Sequence, residues 1–236
     1  MFVLFCQRYY YRLLGKEIVH FIHIGKTGGT ALKHAFDGHV VTKSHFVKTH
    51  LHHFHLKHVP EGEKFFFSIR DPKDRFISAF YARQREDKPK FYLPHRKGEA
   101  RAFSTFNTPN ELALALSSQD SDLRSKAEDA MQSIIHLKES YWDWFEDETY
   151  FMKRMPDLML VCHLKSLAHD FSRLKEEVQM SDAAKLPEPG VNSHSSSDKL
   201  DKKLEPHAVE NLHNWYAKDY RLMEILEEHK WIQRFE

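Results

Sequence analysis

Cysteine is scarce in this 236-residue chain, which contains only Cys6 and Cys162. Two cysteines cannot form a disulfide framework, and these two do not have the short spacing of a cysteine-based zinc site. We therefore expect a protein of a reducing compartment, with a cytoplasmic location as the simplest interpretation.

A long apolar run is missing, and so is a surplus of either charge. The apolar N-terminal stretch is interrupted at Gln7 and Arg8, too early for a signal peptide or a membrane span, so we expect no stable membrane insertion. Lys and Arg together number 35 against 34 Asp and Glu, which leaves a formal charge of +1. This balance excludes a polybasic nucleic-acid coat, and we expect no nucleic-acid partner.

The chain does contain a regular alternation of predicted strands and helices. Nearly continuous apolar, β-rich runs predict buried strands at 18–24, 65–70 and 158–163, with a further strand at 40–47. Asp71 and Pro72 predict the start of a helix, as its N-cap and its first residue. Further elements are helices predicted at 141–154, 167–178 and 205–230 and a loop at 88–101. This alternation is typical of an α/β protein with a parallel sheet, and we expect one domain over residues 1–236.

Residues 25–30 (Gly-Lys-Thr-Gly-Gly-Thr) lie between a predicted strand and a predicted helix, which suits a phosphate-binding turn. Glycines let backbone N–H groups approach an anion, and the helix N-terminus adds unpaired donors. Lys26 adds a charge, and Thr27 and Thr30 add hydroxyl groups. The P-loop of nucleotide triphosphatases would need a glycine where His20 stands. The alternative is a tight turn whose glycines serve packing alone.

A second anion anchor is predicted at the end of the strand 65–70. Arg70 stands at its carboxyl end, where open α/β sheets place their ligands. Ser78 follows about two helical turns later. An arginine fork and a hydroxyl together suit a dianionic phosphate. Arg75 is either a second phosphate ligand or a structural ion-pair partner at the helix surface.

The two segments together carry a resemblance to a known family. Residues 21–32 (FIHIGKTGGTAL) resemble the 5′-phosphosulfate loop of sulfotransferases, and residues 65–81 (FFFSIRDPKDRFISAFY) resemble their 3′-phosphate motif. Their order also fits. The chain is most similar to the carbohydrate-type sulfotransferases, which include heparan sulfate 2-O-sulfotransferase. One departure is Gly25, where relatives often carry proline.

The resemblance implies a P-loop-like α/β fold, a parallel sheet flanked by helices in a single domain, with an N-terminal extension (1–17) and a cofactor-binding core (18–82). It also implies that 3′-phosphoadenosine 5′-phosphosulfate (PAPS) is the sulfuryl donor. The nucleotide product is then 3′-phosphoadenosine 5′-phosphate (PAP), and no metal is required. By position, the 5′-phosphosulfate is held by Lys26, Thr27, Gly28, Gly29 and Thr30. The 3′-phosphate is held by Arg70 and Ser78.

Sulfuryl transfer to a hydroxyl needs a general base, a role for which histidine is well suited. Relatives carry a His-x-His pair between the two anchors, whose second histidine is the base. The match here is His50-Leu51-His52, so the resemblance implies His52 as base and His50 as its neighbour or a substrate contact. In an extended segment these two would share one face. His53 stays open as a third candidate.

The same histidine-dense stretch, residues 50–58, permits two other interpretations. Imidazole is a good ligand for Zn²⁺, Ni²⁺ and Cu²⁺, although no Cys or carboxylate flanks these histidines. A solvated histidine-rich edge is the plainer alternative.

The acceptor is expected to be a carbohydrate, bound by the candidate acceptor and lid loops 83–108 and 182–203. The first loop concentrates positive charge, which favours an anionic glycan, or else it is a solvated loop. Its cations are Arg83, Arg85, Lys88, Lys90, Arg96, Lys97 and Arg101. The alternatives to a sulfotransferase are a P-loop-type nucleotide kinase and an inactive nucleotide-binding module of the same fold. The sequence predicts no oligomeric state.

Overall fold

The computed structural model describes residues 2–36, 38–89, 92–187 and 200–233, with side chains from Gln7 onward. The strands in these residues are β1 (Glu17–Ile22), β2 (His39–Val41), β3 (His45–Thr49), β4 (Lys64–Ile69) and β5 (Leu158–His163). The helices before β5 are α1 (Phe2–Leu13), α2 (Gly29–Phe36), α3 (Pro72–Gln84), α4 (Lys97–Thr105), α5 (Pro109–Ala115), α6 (Ser121–Ser133), α7 (Trp142–Phe145) and α8 (Glu148–Arg154). The helices after β5 are α9 (Leu167–Glu177), α10 (Pro206–Trp215) and α11 (Ala217–Glu228).

The described strands form one five-stranded sheet in the order β2-β3-β1-β4-β5. β1 pairs in parallel with β3 and β4, β4 pairs in parallel with β5, and β2 is an antiparallel edge strand. Because β1 and β4 are parallel neighbours, with Ile22 opposite Phe67, their carboxyl ends lie at the same edge of the sheet. The predicted α/β class with a mostly parallel sheet is confirmed.

The chain divides into two compact units. The first contains the sheet and is drawn from residues 1–70, 141–193 and 225–236. Helices α2 and α9 pack on one sheet face, where Phe36 and Phe171 join the buried side chains of β1. On the other face Phe67 packs against Phe145 of α7, with ring centroids 4.7 Å apart. Both faces are therefore covered, which explains why the central strands are continuously apolar.

The second unit is helical and is drawn from residues 71–140 and 194–224. Phe76 and Phe80 of α3 pack in one buried cluster with side chains of α5, α6 and α10. The Asp71 carboxylate accepts hydrogen bonds from the backbone N–H groups of Lys73 and Asp74, so the predicted start of α3 is confirmed. The prediction of a single domain over residues 1–236 stays a prediction.

Two predicted segments differ in the structure. The predicted strand 40–47 is two strands, β2 and β3, because a turn closed by a hydrogen bond from Thr42 N to His45 O reverses the chain. The predicted loop 88–101 is interrupted by α4, which begins at Lys97. In both segments a local turn or helix cap, and not the overall residue composition, determines the secondary structure.

Two predicted helices are each divided. The prediction at 141–154 yields α7 and α8, because Glu146 has a φ angle of 68°, a left-handed conformation that ends an α-helix. The prediction at 205–230 yields α10 and α11, which separate at Tyr216. None of the helices in the described ranges combines the length and the apolar character needed to cross a lipid bilayer.

Candidate active site

The turn between β1 and α2 has a backbone that ordinary residues rarely adopt. Lys26 has a φ angle of 69° and Gly28 one of 92°. The φ angle of Gly28 favours glycine, and a Cβ atom there would lie 2.7 Å from Leu164 Cδ1, so the leucine side chain would have to move. The left-handed conformation of Lys26 costs about 1 kcal/mol or more, and such outliers cluster at functional sites. This conformation makes the turn a candidate functional site.

Gly29, the first residue of α2, is needed for a different reason. A Cβ atom there would lie 2.2 Å from Cδ2 of His23, a buried imidazole just beyond the end of β1. The turn backbone therefore rests directly on the ring of His23. The same ring packs against His52, with centroids 4.0 Å apart. His23 thus lies between the turn and the histidine-dense segment.

Replacing Gly29 with alanine should destabilise the fold by about 1–3 kcal/mol, the usual cost of overpacking. Thermal unfolding measures this cost. In a His23→Ala background the added methyl group has space, so the same substitution should cost much less there. Equal costs in the two backgrounds would contradict the contact described above.

The Thr27 hydroxyl is used inside the protein. The hydroxyl group donates a hydrogen bond to the backbone carbonyl of Ile24 (3.0 Å), and its Oγ1 atom lies 2.8 Å from Ser68 Oγ on β4. Thr27 is fully buried. Since its hydroxyl proton is committed to Ile24, the contribution that Thr27 can make to an anion is its backbone N–H. Thr30, in the first turn of α2, is partly exposed.

Arg70 follows β4 directly and is partly exposed, at the same edge of the sheet as the turn. Its backbone carbonyl accepts a hydrogen bond from the Tyr141 hydroxyl. Ser78 lies on α3 in the second unit and is partly exposed. Arg75 is buried in that unit, where its Nη1 donates to the backbone carbonyl of Glu139 (2.6 Å). Of the two interpretations of Arg75, the structure supports the ion-pair partner, since its Nη2 also lies 3.6 Å from the Glu139 carboxylate.

His52 is held by hydrogen bonds at both its ring and its backbone. Its Nδ1 lies 3.0 Å from the backbone carbonyl of His23, and Trp144 Nε1 donates to the His52 carbonyl (2.8 Å). A carbonyl only accepts, so Nδ1 carries the proton and the lone pair of the neutral ring is on Nε2. The residue is exposed. This is the tautomer and the accessibility that a general base requires.

His50 has a different environment. Its ring stacks on Phe54, with centroids 3.4 Å apart, and its Nε2 lies 2.9 Å from Nδ1 of His20. His20 in turn contacts the Glu63 carboxylate, with 2.7 Å between Nε2 and Oε2. Burial, followed by the charge of His20, lowers the pKa of His50 to about 2. His50 is therefore neutral at any physiological pH.

The expectation that His50 and His52 share a face of an extended segment is wrong. A turn is closed by a hydrogen bond from Phe54 N to Leu51 O, so the segment does not have the period of two of a strand. As a result one ring contacts His20 and the other contacts His23. Within the described ranges, no cluster of three or more His, Cys, Asp or Glu side chains is arranged to hold a metal ion.

The candidate acceptor loops are only partly described. Within 83–108, Arg83 is fully buried and pairs with Glu99 (2.7 Å) and Asp87, so it belongs to the interior. Burial alone would raise the pKa of Glu99, but hydrogen bonds from Arg83 and two backbone N–H groups lower it to about 2. The exposed cations of this loop are Lys88, Arg96, Lys97 and Arg101. Lys90, and residues 188–199 of the second loop, lie outside the described residues.

Sequence reasoning did not identify His20, His23, Glu63 and Trp144 as parts of this site. Each carries a weak signal, since a histidine inside an apolar strand and an acid just before one are both unusual. Their partners are separated in sequence by up to 92 residues, so the pairing needs the sheet register.

Comparison with known protein families identifies the family of this chain. The chain matches the family model described as the sulfotransferase family over residues 8–224, nearly its whole length. No curated protein matches it. The chain therefore belongs to the sulfotransferase family and is an enzyme that transfers sulfuryl groups.

Proposed function

We propose that this sulfotransferase moves a sulfuryl group from PAPS to a hydroxyl of a carbohydrate acceptor, with His52 as the general base. The observation that carries the proposal is the hydrogen bond from His52 Nδ1 to the His23 carbonyl. It leaves Nε2 as the basic atom of an exposed ring, and His23 also contacts the phosphate-binding turn.

The turn and the adjacent strand end suit a nucleotide that is anionic at both ends. Bound PAPS would supply the sulfuryl group together with a phosphate leaving group. Its 5′-phosphosulfate would be held by Lys26, Gly28, Gly29, Thr30 and the backbone N–H of Thr27. Its 3′-phosphate would be held by Arg70. The support for this assignment is a glycine-rich turn that carries Lys26 and lies at the N-terminus of α2, where backbone N–H groups without helix partners can bind an anion.

Each reacting residue then has one task. His52 Nε2 takes the proton of the acceptor hydroxyl. Lys26 brings its charge to the bridging oxygen, where negative charge develops. His50, neutral and partly buried, accepts a hydrogen bond from the acceptor. No metal is needed for any of these tasks, and PAP is the product.

The acceptor is proposed to be an anionic glycan. Support comes from the exposed cations Arg96, Lys97 and Arg101 near and within α4, each of which can form charge-assisted hydrogen bonds to carboxylates or sulfates. Arg83 does not contribute, because its guanidinium group is committed to Glu99 and Asp87.

Thermal unfolding with added nucleotide tests donor binding. PAP at about 100 times its Kd should stabilise the protein by about 2.7 kcal/mol, which raises Tm by about 5–10 °C with or without Mg²⁺. ATP with Mg²⁺ should give a much smaller shift. Stabilisation by Mg·ATP alone would instead indicate a nucleotide kinase and would overturn the proposal.

Transfer of labelled sulfate separates an enzyme of the proposed type from an inactive module. PAPS is supplied with a panel that contains a hexuronic-acid oligosaccharide, a neutral oligosaccharide and a simple phenol. Transfer to the first in preference to the others is expected. PAP binding without transfer to either oligosaccharide would contradict the carbohydrate assignment.

A further inference from the structure

A chain of three buried or partly buried titratable side chains crosses one face of the sheet. It runs from Glu63, just before β4, through His20 in the middle of β1, to His50 just after β3. The two links are 2.7 Å (Glu63 Oε2 to His20 Nε2) and 2.9 Å (His20 Nδ1 to His50 Nε2). Glu63 is 2% exposed and His20 is 3% exposed. Both distances are those of hydrogen bonds, so the tautomers of the two histidines decide which atom donates in each link.

Glu63 determines which atoms donate in these two hydrogen bonds. Burial by itself would raise the pKa of its carboxyl group, but hydrogen bonds from His20 and Arg8 outweigh burial and lower that pKa. Oε1 accepts from Arg8 and lies 3.1 Å from Arg12 Nη2, so both arginines of α1 contact the oxygen that faces away from His20. Glu63 is therefore an ionised acceptor.

The positions of the protons follow from that carboxylate. His20 donates to Glu63 from Nε2, because an ionised carboxylate only accepts. Burial has the largest effect on the pKa of His20 and, helped by the charge of Lys48, lowers it although the hydrogen bond and the charge of Glu63 act in the opposite direction, which favours a neutral ring. Its Nδ1 then accepts, and His50 Nε2 donates to it. The lone pair of His50 is consequently on Nδ1.

We propose that Glu63 and His20 are positioning residues, which hold His50 as the Nε2–H tautomer so that its Nδ1 accepts a hydrogen bond from the sugar acceptor. The importance of His50 for the acceptor rests on the proposed function, whereas the tautomer itself does not. The same hydrogen bonds keep His50, the first histidine of the His-x-His pair, from competing for the hydroxyl proton, since His50 stays neutral while His52 is the base.

The tautomer is measured on the unaltered protein by ¹⁵N NMR of its imidazole rings, with the His50 signals assigned by their loss in His50→Gln. A protonated Nε2 and an unprotonated Nδ1 are expected at neutral pH. Addition of a hexuronic-acid oligosaccharide with PAP should shift the Nδ1 signal. A protonated Nδ1, or a Nδ1 signal that the oligosaccharide does not move, overturns the proposal.

Glu63→Gln should reverse the direction of both hydrogen bonds between residue 63, His20 and His50. The amide oxygen is expected to stay with Arg8 and Arg12, which places the NH₂ group against His20. His20 then becomes the Nδ1–H tautomer and donates to His50 Nε2, so His50 carries its proton on Nδ1 and offers the acceptor a donor in place of a lone pair. We expect KM for the oligosaccharide to rise by at least about tenfold, with PAP affinity unchanged.

Glu61→Gln is the matched control, because Glu61 is exposed and pairs with Lys153 at the surface. It should leave both the His50 tautomer and the KM unchanged.

Reversal of the tautomer in Glu63→Gln without a change in KM overturns the role in acceptor binding. If sulfuryl transfer is absent from the unaltered protein, the proposed function fails while the tautomer measurement still decides the direction of the chain. Should Glu63→Gln not fold, the measurements on the unaltered protein decide alone.

Discussion

Replacing His52 with alanine is expected to lower kcat by about 10²- to 10⁴-fold, the usual contribution of a general base. PAP affinity should not change, since the base contacts the acceptor and not the nucleotide. The fold should persist because the ring is exposed. Steady-state sulfuryl transfer and PAP titration measure the two effects separately.

His53→Ala serves as the matched control, because His53 is the adjacent exposed imidazole of the same turn. It should retain nearly full activity. If His53→Ala lost activity and His52→Ala kept it, the base would be the neighbouring residue. The hydrogen bond from His52 to His23 would then be a structural feature of the turn.

Replacing Arg70 with alanine is expected to weaken PAP binding by about 10- to 100-fold, because each charge-assisted hydrogen bond to a phosphate contributes about 1.5–3 kcal/mol. Arg70→Lys should recover part of this loss, since a point charge remains but the fork is gone. Isothermal titration with PAP measures the change. Adenosine 5′-phosphosulfate, which lacks the 3′-phosphate, should bind equally to all three proteins.

Lys64→Ala removes a cation from the opposite end of the same strand, where the Nζ atom donates to the Pro156 carbonyl. This variant should bind PAP normally. Normal PAP affinity in Arg70→Ala would refute the assignment of the 3′-phosphate site. An equal loss in Lys64→Ala would point to a general electrostatic effect of net charge.

The central strands and the phosphate-binding turn could be predicted because their signals are local. A strand that is buried on both faces has a continuous run of apolar residues, as in Phe65–Phe67. A glycine-rich turn before a helix can likewise be recognised from the sequence. The strands β2 and β3 could not be separated in this way. Their division depends on a turn closed by hydrogen bonds between Thr42 and His45.

The candidate site was predictable only in part, because residue types can be read from the sequence and hydrogen-bond partners cannot. His50 and His52 were identified, but their different surroundings arise from one turn and from the register that brings His20 and Glu63 together. The buried Thr27 hydroxyl is a similar case. Its sequence position suggests an anion ligand, and only its contact with Ser68 shows that the hydroxyl serves the interior.

That hydroxyl pair has a consequence for ligand choice. Ser68 lies two positions before Arg70, so its bond to Thr27 ties the turn after β1 to the end of β4 inside the first unit. In the proposed donor site, this bond fixes the distance between the 5′-phosphosulfate turn and Arg70. On the proposed function, the enzyme selects its donor by length as well as by charge, and a molecule with its phosphates at another spacing would satisfy only one point at a time.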